Sequence, residues 1–206
     1  MTGTHVGSEN PNPVSGVVPG ALLELTQHVD RFRLHLEGLP QIGASSSGSG
    51  PFGHSSATLS LLNATALVDL DPARRFRLGF GFQVINVTNF NGNNANIDDS
   101  RVTSPIFAAG ATLPVSHGHF VELNLMVDPN LRGVVDIFDN GATSEPNKPE
   151  GGAEVDYSAA YGWRRGLVTY LIGARGLSYH TRNLNTQALV DRNVGGGVTF
   201  EVRFAL

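Results

Sequence analysis

Two short segments carry the residue types of a nucleophilic site: "SHGH", Ser116 to His119, and "SYH", Ser178 to His180. A serine hydroxyl becomes a nucleophile when a histidine lies within hydrogen-bond reach and a third group orients that ring. "SHGH" lies in a short turn, and "SYH" has no oxyanion-hole motif and no obvious orienting carboxylate, so a lipid hydrolase using Ser178 or His180 is a minor expectation. His117 and His119, two residues apart, have the spacing to share a metal ion, but turn hydrogen bonding and interface anchoring are the expected roles. "NIDDS" (Asn96 to Ser100) and "DIFDNG" (Asp136 to Gly141) carry the oxygen donors that calcium prefers. Neither has an EF-hand spacing, and both are read as solvated acids. The Asn-X-Thr patterns at Asn63 and Asn86 are read as chance. The expectation is a non-enzyme with no cofactor and no metal.

The elements that must position these residues are strands. "RFRLGFGF", Arg75 to Phe82, alternates strictly between a Phe/Leu parity and an Arg/Gly parity, and successive side chains of a strand point to opposite faces of the pleat. The same pattern recurs in about eight segments, beginning with "RFRLHLEG" and ending with "GGGVTFEVRFAL". The connections alternate in length. "DPAR", "SHG" and "RRG" are short and rich in turn residues. Between them lie the long polar stretches "GASSSGSGPFGHSS", "TNFNGNNANIDDSRVTS", Pro129 to Gly152 and "HTRNLNTQALVDRN". "DPNLRGVVDIFDNG" reads either as a strand extension or as a loop helix with Asp128 at its N-cap, and the helix is slightly favoured. Residues 1–20 read as a flexible polar tail and 21–206 as one domain.

Composition narrows the class. Charged residues are only 16% of the chain, Lys148 is the single lysine among 14 cationic residues, and there is no cysteine. Soluble β-proteins place lysine on exposed faces and edges, whereas arginine suits enclosed, multiply hydrogen-bonded pairs. A formal net charge of -4 without a basic run argues against nucleic-acid binding. No apolar run is long enough for a membrane-spanning helix. The N-terminal residues do not form a signal peptide, which leaves a cytosolic chain or a mature form carrying an added Met.

Roughly three dozen side chains occupy the apolar parity, whereas a small eight-stranded barrel holds roughly a dozen inside. The opposite parity is small or charged: Gly79, Gly81, Gly162 and Gly173 alternate with Arg31, Arg33, Glu37, Arg75, Arg77, Glu122, Glu154, Asp156, Arg175, Glu201 and Arg203. Those charges are expected to form a lumenal network, either a salt-bridge plug or a narrow selective pore. The lipid-facing set is expected to include Phe76, Leu78, Phe80, Phe82, Val121, Leu123, Leu125, Tyr157, Tyr161, Trp163, Phe200 and Phe204, with Tyr161 and Trp163 in an aromatic girdle. The fold expected is all-β, an eight-stranded up-and-down antiparallel transmembrane β-barrel. The alternative is a soluble barrel with the Phe/Leu parity around an apolar ligand.

The stretch from about Arg31 to Leu206 resembles the small bacterial outer-membrane barrels of the OmpA/OmpX type, and "GGGVTFEVRFAL" resembles their closing strand, though it ends in Leu206 where Phe is usual. The resemblance implies short periplasmic turns, long extracellular loops and both termini in the periplasm. It also implies a monomer in the outer membrane, in contact with the bilayer and its lipopolysaccharide and recognised by the outer-membrane insertion machinery. Its function is then structural, adhesive or porin-like.

Overall fold

A computed structural model describes residues 2–5, 15–17, 23–47, 54–91, 96–139, 142–185 and 189–204. They are strands and tight turns, with no helix among them. The strands are β1 (Thr2–His5), β2 (Ser15–Val17), β3 (Leu23–Val29), β4 (Phe32–Ser47), β5 (His54–Asp69), β6 (Phe76–Asn91), β7 (Asn96–Ser116), β8 (His119–Asp139), β9 (Ala142–Arg165), β10 (Val168–Asn183) and β11 (Leu189–Phe204). They form one antiparallel sheet in the order β2-β1-β11-β10-β9-β8-β7-β6-β5-β4-β3, an up-and-down meander curled into a half-barrel. The eight segments expected from alternation are the long strands β4 to β11. To them are added β3 on the edge of β4 and, from the stretch expected as a tail, β1 and β2 beyond β11.

The turns at one end of the sheet are as short as the sequence suggests. Gly118 (φ 74°) and Gly166 (φ 60°) take up the left-handed backbone of two tight hairpins, and Asp30 (φ 55°) does so between β3 and β4. The turn after β5 is built on Asp71. Its Oδ1 accepts the backbone N–H of Arg75 at 2.7 Å and of Phe76 at 3.0 Å, and its Oδ2 accepts Nε of Arg75 at 3.0 Å. These bonds hold the Asp71 carboxyl below its ordinary range, the Phe76 amide contributing most.

At the opposite end the structure differs from expectation. Strand pairing runs far into the stretches expected as long loops: Asn91 still pairs with Asn96, and Asp139 with Ala142. Backbone pairing does not require apolar side chains, so polarity alone was a poor guide to where pairing stops. The loop helix favoured for Asp128 to Gly141 is also corrected: β8 continues as strand to Asp139. Asp128 Oδ1 does accept a nearby backbone N–H, that of Asn130 at 2.9 Å. The bond closes a bulge between Asp128 and Leu131 and caps no helix. The β-branched Val134, Val135 and Ile137 then favour the extended chain.

Side-chain polarity is reversed relative to a soluble sheet protein. On β6, Phe76, Leu78, Phe80 and Phe82 are exposed, while Arg77 and Gln83 on the opposite parity are 4% and 1% exposed. The other strands follow suit. Leu123, Leu125, Tyr157, Tyr161 and Phe200 lie exposed, and Val121 and Trp163 half-buried, on the outer parity. Phe204 belongs to β11, and its side chain lies outside the described residues. The soluble alternative needs this parity to be a core. Here it faces outward.

The inner parity also carries an apolar part that alternation alone did not assign. Ile85, Val102, Ile106, Leu131 and Leu171 are fully buried there. They fill space beside the charged groups, as close packing requires.

Candidate functional site: the inner ion-pair network

Strand alternation aims the charged residues inward, and the curl of the sheet brings together groups far apart in sequence. Near the tight turns, Arg203 of β11 reaches across the concave face to Glu122 of β8 with two parallel bonds, Nη1 to Oε2 and Nη2 to Oε1, each 2.9 Å. This fork-on-fork geometry is the one arginine makes best with a carboxylate. Arg203 also donates to Glu201 Oε2 at 3.1 Å and lies 3.8 Å from Glu24 of β3. Arg77 stands 3.9 Å from the same Glu122 and donates to Thr112 Oγ1 at 2.9 Å and to Asn124 Oδ1. Arg33 and Arg74 flank Asp69 at 3.8 and 3.6 Å.

One layer further along, Arg175 of β10 is clasped from both sides. Its Nε donates to Asp156 Oδ1 at 3.0 Å and its Nη2 to Asp156 Oδ2 and to Glu37 Oε1, the latter at 2.5 Å. Asn63 Nδ2 donates to the same Glu37 oxygen at 3.2 Å, and His35 Nε2 lies 3.8 Å from Glu37 Oε2. Arg175, Glu37 and Asp156 are all at least nine-tenths buried. An unpaired charge there costs several kcal/mol, so the mutual pairing is what makes burial tolerable. Beyond this layer the partners become neutral: Gln83 donates to Glu154 and Ser104 to Asp128.

Of the residues expected in the network, Arg33, Glu37, Arg77, Glu122, Asp156, Arg175, Glu201 and Arg203 come together. Glu154 faces inward but takes its printed bond from Gln83. Arg31 and Arg75 do not reach the interior, and their expected lumenal placement is corrected. Arg31 sits in the turn before β4, and Arg75 is held in the β5–β6 turn by Asp71; both are exposed. At a strand end the alternation no longer fixes direction, because the pleat stops. Asn63, Asp69, Gln83, Asn124 and Asp128 were missed although they share the inward parity of their strands. Glu24 was missed because β3 was not recognised as a strand.

The residues considered for catalysis are not assembled. Ser178 and His180 both point outward from β10 and are exposed, and no hydrogen bond joins them among the described residues. Ser116 and His117 are exposed at a tight turn, whereas His119 bonds Tyr161, Nδ1 to the phenol oxygen at 2.9 Å. Trp163 stacks on Tyr170 with ring centroids 5.4 Å apart, next to that turn end. Glu24, His35 and Glu37 bring one donor atom each to within 4.8 Å of one another, a spacing that suits a cation. Arg203 and Arg175 already face the two carboxylates, so the trio belongs to the ion-pair network. Asn63 is 1% exposed, which removes it as a glycan acceptor. The side chains of Asn96 to Ser100 and Asp136 to Asp139 lie outside the described residues.

No family model, curated protein or solved structure matches the chain.

Proposed function

We propose that the chain is a bacterial outer-membrane β-barrel of OmpA/OmpX-like architecture, with a charge-paired lumen, acting as a structural or adhesive protein. The observation that carries this reading is the inside-out polarity of β6 and its neighbours, with Phe76, Leu78, Phe80 and Phe82 outward and Arg77 and Gln83 buried. From Phe76 to Val84 every outward position is apolar, a run of nine residues. That matches the ~9–11 residues with which a tilted strand crosses a bilayer. Lipid is the solvent that makes such a face stable, and closure of the eight long strands into a ring is the state that leaves no backbone group unpaired in it. The Arg175 clasp between β10 and β4 favours a plugged lumen over a conducting one.

Folding tests this reading. The purified chain is expected to need detergent or lipid to fold, to migrate anomalously on gels until boiled, and to show no steady conductance in a planar bilayer. A monodisperse, folded protein in plain buffer overturns it. Steady single-channel conductance instead selects the porin-like form of the same barrel, in which the inner charges set selectivity.

A further inference from the structure

On the outer face, beyond the apolar band at the end away from the tight turns, Arg132 of β8, Gly151 of β9 and Arg182 of β10 stand in one cross-strand row. Both arginines are exposed. Arg101 of β7 is exposed on the same face and pairs with Val134, two residues along β8 from Arg132. Two guanidinium groups separated by a single strand, about 9–10 Å at the backbone, repel each other unless something negative lies between them. Among the described residues no carboxylate forms an ion pair with Arg101, Arg132 or Arg182. Glu150, next to Gly151 on β9, is fully buried on the inner side, and the side chains of Asp99 and Asp136 lie outside the described residues.

The place between the arginines is shaped as well as charged. Gly151 has no side chain, and the position its Cβ would take lies 3.4 Å from Arg132 Nη1 and 2.9 Å from Leu184 Cδ2. The Arg132 guanidinium therefore lies over the glycine, toward Arg182, with Leu184 as an apolar wall. Arg132 Nε donates to Asn130 Oδ1 at 3.2 Å, which anchors the group.

We infer that Arg132 and Arg182, supported by Arg101, bind the phosphate of an anionic lipid headgroup. Height selects a lipid as the source of that phosphate. Gly151 and Arg165 stand fourteen residues apart on β9. At ~3.3 Å per residue and a tilt near 45° that is about 33 Å across the membrane, close to the hydrocarbon thickness of about 30 Å. With Arg165 and the tight turns at one headgroup level, the arginine row falls at the other, beyond the apolar band and the outward Asn130, Ser178 and His180. The inference rests on the membrane-barrel reading.

The test uses the full chain folded in detergent, with heat-modifiable mobility as the check of folding and native mass spectrometry as the readout. Phosphatidylglycerol and phosphatidylcholine are the probes, with inorganic phosphate as competitor. The wild type is expected to retain phosphatidylglycerol over phosphatidylcholine. Arg132→Gln/Arg182→Gln should weaken that retention about thirtyfold, given the attraction of each surface arginine to anionic lipid. Arg132→Lys/Arg182→Lys keeps the charge without the planar fork and should fall between the two, and it carries the test if the glutamine pair does not fold. Equal retention by folded wild type and folded variants overturns the site and leaves the barrel standing. Displacement of the lipid by millimolar inorganic phosphate overturns the lipid assignment. A chain that folds in plain buffer and is not heat-modifiable overturns the barrel reading, and this site with it.

Discussion

Arg175 on β10 donates to Glu37 on β4 at 2.5 Å, joining residues 138 positions apart in the chain across the concave face of the sheet. The same guanidinium is held from its other side by Asp156 on the neighbouring strand β9. This clasp links strands near the two ends of the meander without any backbone bond between them.

Replacing Arg175 with Gln is expected to destabilise the folded chain by about 3–5 kcal/mol, because Glu37 and Asp156 are left buried and uncompensated. Urea unfolding of the vesicle-folded protein, followed by loss of heat-modifiable mobility, measures this. The triple change Arg175→Met, Glu37→Gln, Asp156→Asn removes all the charges together and should recover much of the loss. A single substitution with no effect on the midpoint means that the clasp does not form.

Phe80 is 65% exposed at the middle of the apolar run on β6. In lipid, Phe80→Arg should cost about 2–4 kcal/mol and lower the folded yield in vesicles. On a water-facing surface the same change would be neutral or would improve solubility. The sign of the effect on folded yield decides which solvent this face sees.

Gly81 faces inward on β6, directly opposite Thr65 of β5. A Cβ at Gly81 would meet Ala64 O and would lie 2.7 Å from Thr65 Cα, both backbone atoms that cannot move without parting the strands. Gly81→Val is expected to abolish folding in lipid, while Phe82→Val, one residue along on the outer face, should fold. Refolding yields of the two variants, read side by side, separate inner crowding from a general intolerance of change in β6.

Asp71 holds the β5–β6 turn by accepting the Arg75 and Phe76 amides. Its carboxyl titrates below the ordinary range. A depressed carboxyl adds stability that is fully present above the ordinary aspartate value and disappears as pH falls through the lowered folded value. The amide resonances of Arg75 and Phe76 should therefore titrate together in micelles, with a midpoint below that of a free aspartate. Asp71→Asn should abolish the titration. A midpoint at or above the free value contradicts the hydrogen-bonded turn.

The long strands β4 to β11, the three tight turns and the identity of the outward parity were legible in the sequence, whereas β1, β2 and β3, which bring the sheet to eleven strands, were not. Each of the legible features follows from a local rule: period-two alternation, Gly or Asp where the backbone must turn, and large apolar side chains on one face only. Gln83 and Asn63 are equally legible by parity, although as neutral side chains they carry no formal charge to mark them.

Partnership was a matter for the tertiary structure. No local pattern indicates that Arg175 meets Glu37, or that Arg203 forks onto Glu122 and leaves Arg77 to Thr112 and Asn124. Those choices depend on the register and curl of strands tens of residues apart. The same holds for Arg31 and Arg75, whose parity pointed inward but whose positions at strand ends release them into the turns. It holds too for Asp128, where one short side-chain bond serves a helix cap and a bulge equally well and the pairing of β8 with β9 decides between them. The sequence by itself determined which faces are apolar, because each side chain carries its own hydration cost; the tertiary structure decided which charges meet, because pairing is a property of distance.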